Sequence, residues 1–190
     1  MSKPQQKHAE TASGISAIAN LSSVVHTAQA EQAEALNEAL LTGYQAHRDD
    51  ADTKRTHLFH GRYENVYLTL KQVPELAQLL EQANAHAQQV LGIKQVKSGC
   101  WINDMPPGAV TTAHRHDDDD ELLSGVYYVS VPENSGQLVL HRGEHRDVIQ
   151  PEAGLFVFFA PNVVHEVTEN LSDEHRISIG MNFGSLDDDE

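Results

Sequence analysis

The sequence has little cysteine, few basic residues and no long apolar run. Its 190 residues contain one cysteine, Cys100, which excludes an internal disulfide framework and a cysteine-rich zinc site. Thirteen Lys and Arg face 28 Asp and Glu, which gives a net charge of −15. Duplexes and anionic membrane surfaces both attract proteins through basic residues. We therefore expect neither a nucleic-acid partner nor a membrane partner.

The apolar segments are also too short for membrane insertion or secretion. The longest, residues 155–160, is far below the roughly 20 residues that span a bilayer. The polar residues 1–6 are not followed by the apolar stretch of a secretory signal. We expect a cytoplasmic protein.

Length and composition predict a single domain. Apolar residues make up 39% of the chain, which is enough to build a core. Residues 1–24 are rich in Ser, Ala and Gln with weak periodicity, and we expect a flexible arm there. Residues 25–186 are expected to form the domain, and residues 187–190 an acidic tail.

The first part of the domain, residues 25–94, predicts helices. It is rich in Ala, Gln, Glu and Leu, which are good helix formers. Apolar positions recur every three or four residues within 28–47 and within 74–91, where Pro74 suits the first turn and Gly92 the end. Residues 57–70 are ambiguous between a short strand and an irregular segment.

The second part, residues 95–184, predicts a β core. It is rich in Val, Ile, Phe, Tyr and Gly, and turn clusters separate short runs. Such spacing is typical of an all-β sandwich or barrel of the jelly-roll type, with the two helices packed on one outer face. The predicted strands are residues 95–105, 109–114, 122–131, 137–141, 147–150, 155–160, 164–168 and 175–183.

Two neighbouring histidines indicate a metal site. His114 and His116 are two residues apart, so on a strand both imidazoles lie on one face. They would supply half of a divalent transition-metal site, and the five carboxylates at 117–121 offer an oxygen ligand. The alternative is a chance pair in a chain with twelve histidines, followed by a solvated acidic loop.

A third histidine and an arginine extend this hypothesis. His165 lies near the start of one predicted strand, and Arg176 and Ser178 lie on the last strand. If these strands form an antiparallel hairpin around residues 171–172, His165 faces Ser178, and all three side chains share a face.

The last strand alternates a polar set, which begins with Arg176 and Ser178, with an apolar set from Ile177 to Phe183. If the polar set points between the sheets, an anion must compensate the arginine, and a carboxylate suits a guanidinium with a nearby hydroxyl. If the apolar set points inward, Arg176 lies on the solvent face. Alternation alone does not decide. A metal beside a carboxylate-binding pair is what iron(II) enzymes that use 2-oxoglutarate require.

Short motifs run through the β part: Cys100-Trp101-Ile102-Asn103, Pro107-Gly108, His114-Arg115-His116, Leu123-Ser124-Gly125-Val126-Tyr127-Tyr128-Val129, Val131-Pro132, Ser135-Gly136, Pro151-Glu152-Ala153-Gly154, Phe158-Phe159-Ala160-Pro161, His165-Glu166-Val167 and Arg176-Ile177-Ser178-Ile179. With these motifs, residues 95–184 resemble the 2-oxoglutarate/iron(II)-dependent oxygenase superfamily, and within it a bacterial and phage group of largely unassigned substrate. The resemblance implies a double-stranded β-helix.

The resemblance also implies roles for single residues. His114 and His165 match the iron-binding histidines, and Arg176 with Ser178 matches the pair that binds 2-oxoglutarate. Three more pocket candidates lie on strands expected to flank the site, although each could be a packing residue: Asn103, Tyr127 and Tyr128.

One position departs from the His-x-Asp/Glu…His pattern of the superfamily. His116 stands where a carboxylate is expected. Either His116 is the third ligand, which gives a three-histidine site, or a nearby carboxylate such as Asp118 binds the metal instead.

A cupin is the rival interpretation on the same fold. The spacing Gly108-x5-His114-x-His116-x4-Glu121 resembles the first cupin motif, with Glu121 as an added ligand, and the segment ending in His165 resembles the second. A cupin could be a dioxygenase that does not use 2-oxoglutarate, an isomerase or a metal-dependent small-molecule binding protein. A binding or structural protein without chemistry is a further alternative.

We favour an iron(II)- and 2-oxoglutarate-dependent dioxygenase that hydroxylates a substrate and decarboxylates 2-oxoglutarate to succinate. The sequence does not distinguish an amino acid, a peptide side chain or a small metabolite as substrate, and it leaves a homodimer open.

Overall fold

Two antiparallel sheets and two helices make up the chain over residues 25–59, 61–116 and 120–186, the part that the computed structural model describes. The expected flexible arm and acidic tail lie outside these ranges. The elements are β1 (His26–Gln29), α1 (Ala33–His47), β2 (Lys54–Phe59), β3 (Arg62–Tyr67), α2 (Leu76–Leu91), β4 (Val96–Met105), β5 (Thr111–His114), β6 (Glu121–Ser130), β7 (Leu138–Arg142), β8 (His145–Ile149), β9 (Leu155–Phe159), β10 (Val164–Val167) and β11 (Arg176–Ser185).

The strands divide into a large sheet and a small sheet. Seven strands form the large sheet in the order β1-β9-β6-β11-β4-β3-β2, and four form the small sheet in the order β5-β10-β7-β8. From β4 to β11 the chain crosses repeatedly from one sheet to the other. This topology is a double-stranded β-helix, which confirms the predicted mainly-β, jelly-roll fold.

The two helices cover the outer face of the large sheet, as predicted. On α1, Leu36, Leu40 and Tyr44 are buried at helical spacing. On α2, the ring of His86 lies 5.6 Å from that of Phe156 in β9, and the helix ends at Gly92 with a left-handed φ of 69°. No helix in the described ranges is long and apolar enough to span a membrane.

Three strands lie outside the predicted β core. The predicted first helix begins at residue 28, but residues His26–Gln29 pair with β9 as β1, and α1 begins only after the left-handed Gln32. The ambiguous residues 57–70 contain the end of β2 and all of β3, which pair as a hairpin, and β2 begins before this segment, at Lys54. The partner of β1 is more than 120 residues away, so local periodicity carries no signal for it.

The predicted hairpin of the last two strands is wrong. β10 lies in the small sheet, where His165 is opposite His114 and Leu140, whereas β11 lies in the large sheet, where Ser178 is opposite Asn103 and Tyr128. The connection between them is tied down by the buried Asn170, whose side-chain amide donates to the carbonyl oxygens of Met105 and Glu174. The chain therefore crosses between sheets instead of turning back on itself.

Both faces of β11 are buried, and each faces a different layer. Phe183 packs against Phe158 on the side that the helices cover, with ring centroids 5.8 Å apart. Arg176 and Ser178 line a cavity between the two sheets. The polar set thus points inward. Alternation alone could not decide this, because the helices convert the outer face of the sheet into a second core.

Candidate active site

A cavity of about 390 Å³ lies between the two sheets. The large sheet contributes side chains from β4, β6 and β11, and the small sheet contributes side chains from β5 and β10. Seven of the candidate residues line it: Asn103, His114, His116, Tyr128, His165, Arg176 and Ser178.

Three histidines converge on one point of the cavity wall. His114 and His165 are opposite each other on β5 and β10, and their ring centroids are 4.3 Å apart. His116 lies beyond the end of β5, but its backbone N–H donates to the carbonyl oxygen of Pro161, and its ring lies 5.3 Å from that of His165. One ligand atom from each histidine lies within 4.8 Å of the others. The cluster can therefore hold a divalent metal ion.

Backbone carbonyls orient two of these rings. Nδ1 of His114 lies 2.8 Å from the carbonyl oxygen of Thr112, and Nδ1 of His165 lies 2.9 Å from that of Val163. Because a carbonyl only accepts, each Nδ1 carries a proton, and in the neutral ring that binds a metal Nε2 keeps its lone pair. In both histidines Nε2 is thus the nitrogen available to a metal.

Burial keeps His165 neutral. The residue is 8% exposed, and burial lowers the pKa of its imidazole to about 3. The neighbouring rings of His114 and His116 lower this pKa further, while the bond to the Val163 carbonyl opposes the shift. A neutral imidazole is the form that binds a metal ion.

Two carboxylates, Glu121 and Asp118, are the predicted alternatives for the third ligand. The side chain of Glu121 is 3% exposed, and its Oε2 lies 3.7 Å from Nδ1 of His116. Its Oε1 accepts a hydrogen bond from the Ser124 hydroxyl at 2.7 Å. Within the described ranges, however, the group of mutually close ligand atoms contains the three histidines only. Asp118 lies outside the described residues.

Arg176 places a charge deep in the same cavity. The residue is 1% exposed, and its Cζ lies 5.1 Å from the ring centroid of Tyr128. Burial lowers the pKa of the guanidinium, and Tyr128 partly offsets this, but an arginine stays charged. In the described part of the chain it forms no ion pair with a carboxylate, and its Nε has no hydrogen-bond partner. Such a group is costly unless an anion meets it.

Further donors surround this guanidinium. Ser178 is buried two residues along β11, and the buried hydroxyl of Tyr128 has no hydrogen-bond partner in the described ranges. Burial raises the pKa of Tyr128 to about 12, although Arg176 works against this, so the hydroxyl keeps its proton. A guanidinium with two hydroxyls fits a carboxylate, such as the far carboxylate of 2-oxoglutarate.

The structure does not bring Tyr127 to the cavity. Neighbouring residues on a strand point to opposite faces, and the Tyr127 hydroxyl donates to Oδ1 of Asn37 on α1 at 2.6 Å. Asn103 does line the cavity, and its amide nitrogen donates to the Glu64 carbonyl oxygen at 2.6 Å. Of the two adjacent tyrosines, only Tyr128 can reach a ligand there.

Three other residues of the cavity wall are not among the predicted site residues: Trp101, Gly180 and Asn182. Asn182 carries a buried Oδ1 with no hydrogen-bond partner among the described residues, and Gly180 leaves room for the Trp101 ring. A Cβ at Gly180 would lie 2.6 Å from that ring. Asn182 lies six residues from Arg176 on β11, so the two-residue period of a strand predicts that both side chains share a face. This alternation is the sequence feature that could have identified Asn182.

A known protein family matches part of the β core that carries the cavity. Residues 99–149 match the model of a family described as "Putative 2OG-Fe(II) oxygenase". Proteins of this family use iron(II) and 2-oxoglutarate. No curated protein matches the chain.

Solved structures share the fold over almost the whole chain. A prolyl-4-hydroxylase from Pseudomonas putida is 20% identical, with a TM-score of 0.67, 90% of this chain covered and 98% of that one. A prolyl hydroxylase from Trichoplax adhaerens, in complex with a hypoxia inducible factor peptide fragment, is 14% identical, with a TM-score of 0.64 and coverages of 95% and 94%.

A third similar structure comes from the biosynthesis of a small molecule. The non-heme alpha ketoglutarate dependent carbocyclase SnoK from nogalamycin biosynthesis is 14% identical, with a TM-score of 0.70, 98% of this chain covered and 88% of that one. The resemblance inferred from the sequence is therefore confirmed: residues 99–149 match the 2OG-Fe(II) oxygenase family model, and the chain has the double-stranded β-helix of these oxygenases.

Proposed function

We propose that this protein is an iron(II)- and 2-oxoglutarate-dependent dioxygenase that hydroxylates a substrate. The observation that carries the proposal is the pairing, within one cavity, of a three-histidine cluster with a buried arginine that lacks a carboxylate partner in the described ranges. A metal-binding protein that does not use 2-oxoglutarate gains nothing from such an arginine, whose burial is costly.

His114, His116 and His165 would hold the iron. With three protein ligands on one side, the remaining positions stay open for a chelating co-substrate and oxygen. Iron(II) with 2-oxoglutarate supplies oxygen activation coupled to decarboxylation to succinate, which is chemistry that protein side chains alone do not perform.

The protein would position the co-substrate through its far end. Arg176 would grip the far carboxylate, Ser178 would donate a further hydrogen bond, and the Tyr128 hydroxyl is available beside them. Asn103 is already bonded to β3, and in our proposal it shapes the wall without binding the co-substrate.

The substrate would be a small molecule, an amino acid or a peptide side chain. The similar structures include one bound to a peptide fragment and one from the biosynthesis of a small molecule, so likeness of fold supports both. The cytoplasmic location and the homodimer stay predictions.

The cupin interpretation has one observation in its favour, the buried Glu121 beside His116. It would make Glu121 a fourth ligand and leave Arg176 without a role. The two interpretations therefore differ in whether 2-oxoglutarate binds at all.

Anaerobic addition of iron(II) and 2-oxoglutarate to the purified protein tests the proposal. We expect the visible absorption band that iron(II) gives when a 2-oxo acid chelates it. 2-Oxobutyrate, which can chelate but lacks the far carboxylate, should need a much higher concentration to give the band. No band with the folded protein, or equal affinity for both acids, would contradict the proposal.

A further inference from the structure

Glu121 stands apart among the carboxylates near the cavity because it is buried and fixed in place. It begins β6, its side chain is 3% exposed, and the Ser124 hydroxyl holds Oε1 at 2.7 Å. The second oxygen, Oε2, lies 3.7 Å from Nδ1 of His116. A buried carboxylate is costly unless it interacts with a positive charge or with donors, and the Ser124 hydroxyl and the His116 ring are such groups beside Glu121.

An oxygen faces Nδ1 of each of the three histidines, but the one at His116 differs from the other two. The Thr112 carbonyl accepts from His114 at 2.8 Å and the Val163 carbonyl accepts from His165 at 2.9 Å. The Glu121 carboxylate lies 3.7 Å from Nδ1 of His116, an ion-pair distance that is longer than a hydrogen bond. An acceptor at Nδ1 fixes the tautomer and the ring orientation, and it leaves Nε2 for the metal. The oxygen facing His116 belongs to a carboxylate and lies within reach of a hydrogen bond only if the two side chains move closer by several tenths of an ångström.

Charge explains why that oxygen belongs to a carboxylate. A site with three neutral imidazoles leaves the two positive charges of the metal uncompensated by its ligands, whereas a ligand set with one carboxylate cancels one of them. His116 occupies the position where a carboxylate ligand is expected. A carboxylate that accepts from His116 would return one negative charge to the site and make the imidazole a stronger ligand.

We propose that Glu121 is the positioning carboxylate of this metal site and acts through His116 without binding the metal itself. This inference rests on the proposed metal site. It differs from the cupin arrangement, in which Glu121 is a direct ligand. The group of mutually close ligand atoms contains the three histidines and not Glu121, which favours the indirect role.

Cobalt(II) titration of the metal-free protein tests this role, since the visible spectrum of cobalt(II) reports both its affinity and its coordination. Glu121→Gln keeps the shape and removes the charge. We expect its cobalt(II) affinity to fall about 10- to 100-fold while the band shape is unchanged. Glu81→Gln, an exposed carboxylate on α2, removes the same charge far from the cavity and should bind as the wild type does.

A second measurement separates positioning from a general structural role. We expect the contact of 3.7 Å between His116 and Glu121 to shorten to a hydrogen bond when a metal binds, so in zinc-loaded protein with ¹⁵N-labelled histidine the Nδ1–H of His116 should resonate downfield. In Glu121→Gln this signal should move upfield, while those of His114 and His165 stay in place. Should Glu121→Gln fail to fold, Glu121→Asp retains the charge on a shorter side chain, and it should show the same His116 shift at smaller amplitude.

Three outcomes would overturn the inference. Equal cobalt(II) affinity in Glu121→Gln and wild type would show that the carboxylate does not act on the site. A changed band shape would make Glu121 a direct ligand. If the wild type bound no cobalt(II), or bound it equally well without His165, the proposed metal site would fail first and this inference with it, which distinguishes the two failures.

Discussion

The two sheets contribute different chemistry to one cavity. The small sheet presents His114 and His165, side chains whose ring orientations are fixed by backbone carbonyls. The large sheet presents Arg176, a permanent charge at 1% exposure. Without a bound metal, the histidine side chains cost the fold little free energy. A buried guanidinium, in contrast, destabilises the fold until an anion binds it. We therefore expect the small sheet to bind the metal and the large sheet to bind the far carboxylate of 2-oxoglutarate. Substitutions should remove either kind of binding without the other.

The largest expected effect comes from removing the small sheet's contribution. His165→Ala should weaken cobalt(II) or iron(II) binding by more than about 100-fold, because loss of a ligand should exceed the effect of losing a group that only supports one. Equilibrium dialysis measures this. His145→Ala, an exposed histidine on β8, is the matched control. If His165→Ala retains stoichiometric iron, His165 is structural.

Removing the charge from the large sheet should have the next largest effect, on the co-substrate alone. In Arg176→Met the affinity for 2-oxoglutarate should fall about 100-fold, since two hydrogen bonds to a charged group are lost at about 1.5 kcal/mol each. Metal affinity should be unchanged. Unfolding of the ligand-free protein should need as much free energy or more, because an uncompensated buried charge is gone.

The band titration with 2-oxoglutarate and a thermal melt give both values for Arg176→Met, with Arg146→Met on the surface as the control. Unchanged 2-oxoglutarate affinity in Arg176→Met would contradict the proposal that the large sheet binds 2-oxoglutarate through Arg176.

A smaller effect is expected two residues along the same strand. Ser178→Ala removes one neutral donor from the large sheet, and we expect 2-oxoglutarate affinity to fall about fivefold, the equivalent of about 1 kcal/mol. Metal binding should not change. Ser130→Ala, on the neighbouring strand opposite Ile177 and not among the residues that line the cavity, is the comparison. A loss as large as that of Arg176→Met would mean that the hydroxyl, and not the guanidinium, carries recognition.

At Tyr127 we expect a change in stability and no change in the binding of metal or 2-oxoglutarate. Tyr127→Phe breaks the hydrogen bond to Asn37 on the helix side of the large sheet, so the free energy of unfolding should drop by about 1 kcal/mol. Affinities for metal and 2-oxoglutarate should stay at the wild-type values. Chemical denaturation and the band titration check this, and weaker 2-oxoglutarate binding would place Tyr127 in the cavity after all.

Much of the β core could be predicted because its signals are local. Each of the eight predicted strands is present within a few residues of its expected bounds, since turn clusters and β-branched residues mark them along the chain. α2 ends at Gly92 as predicted, because a glycine accommodates the left-handed end of a helix at no steric cost. β1 could not be predicted, because its hydrogen bonds come from β9.

The amino-acid sequence by itself determined which side chains could do the chemistry: three imidazoles, a guanidinium and a hydroxyl at spacings that suit strands. Only the tertiary structure decided how they meet. The sequence suggested that His165 and Arg176 share a hairpin, but they reach the cavity from opposite sheets. It left open which face of β11 is internal, because both faces are buried once helices cover the large sheet. Side-chain alternation fixes which residues share a face, and packing between layers fixes where that face points.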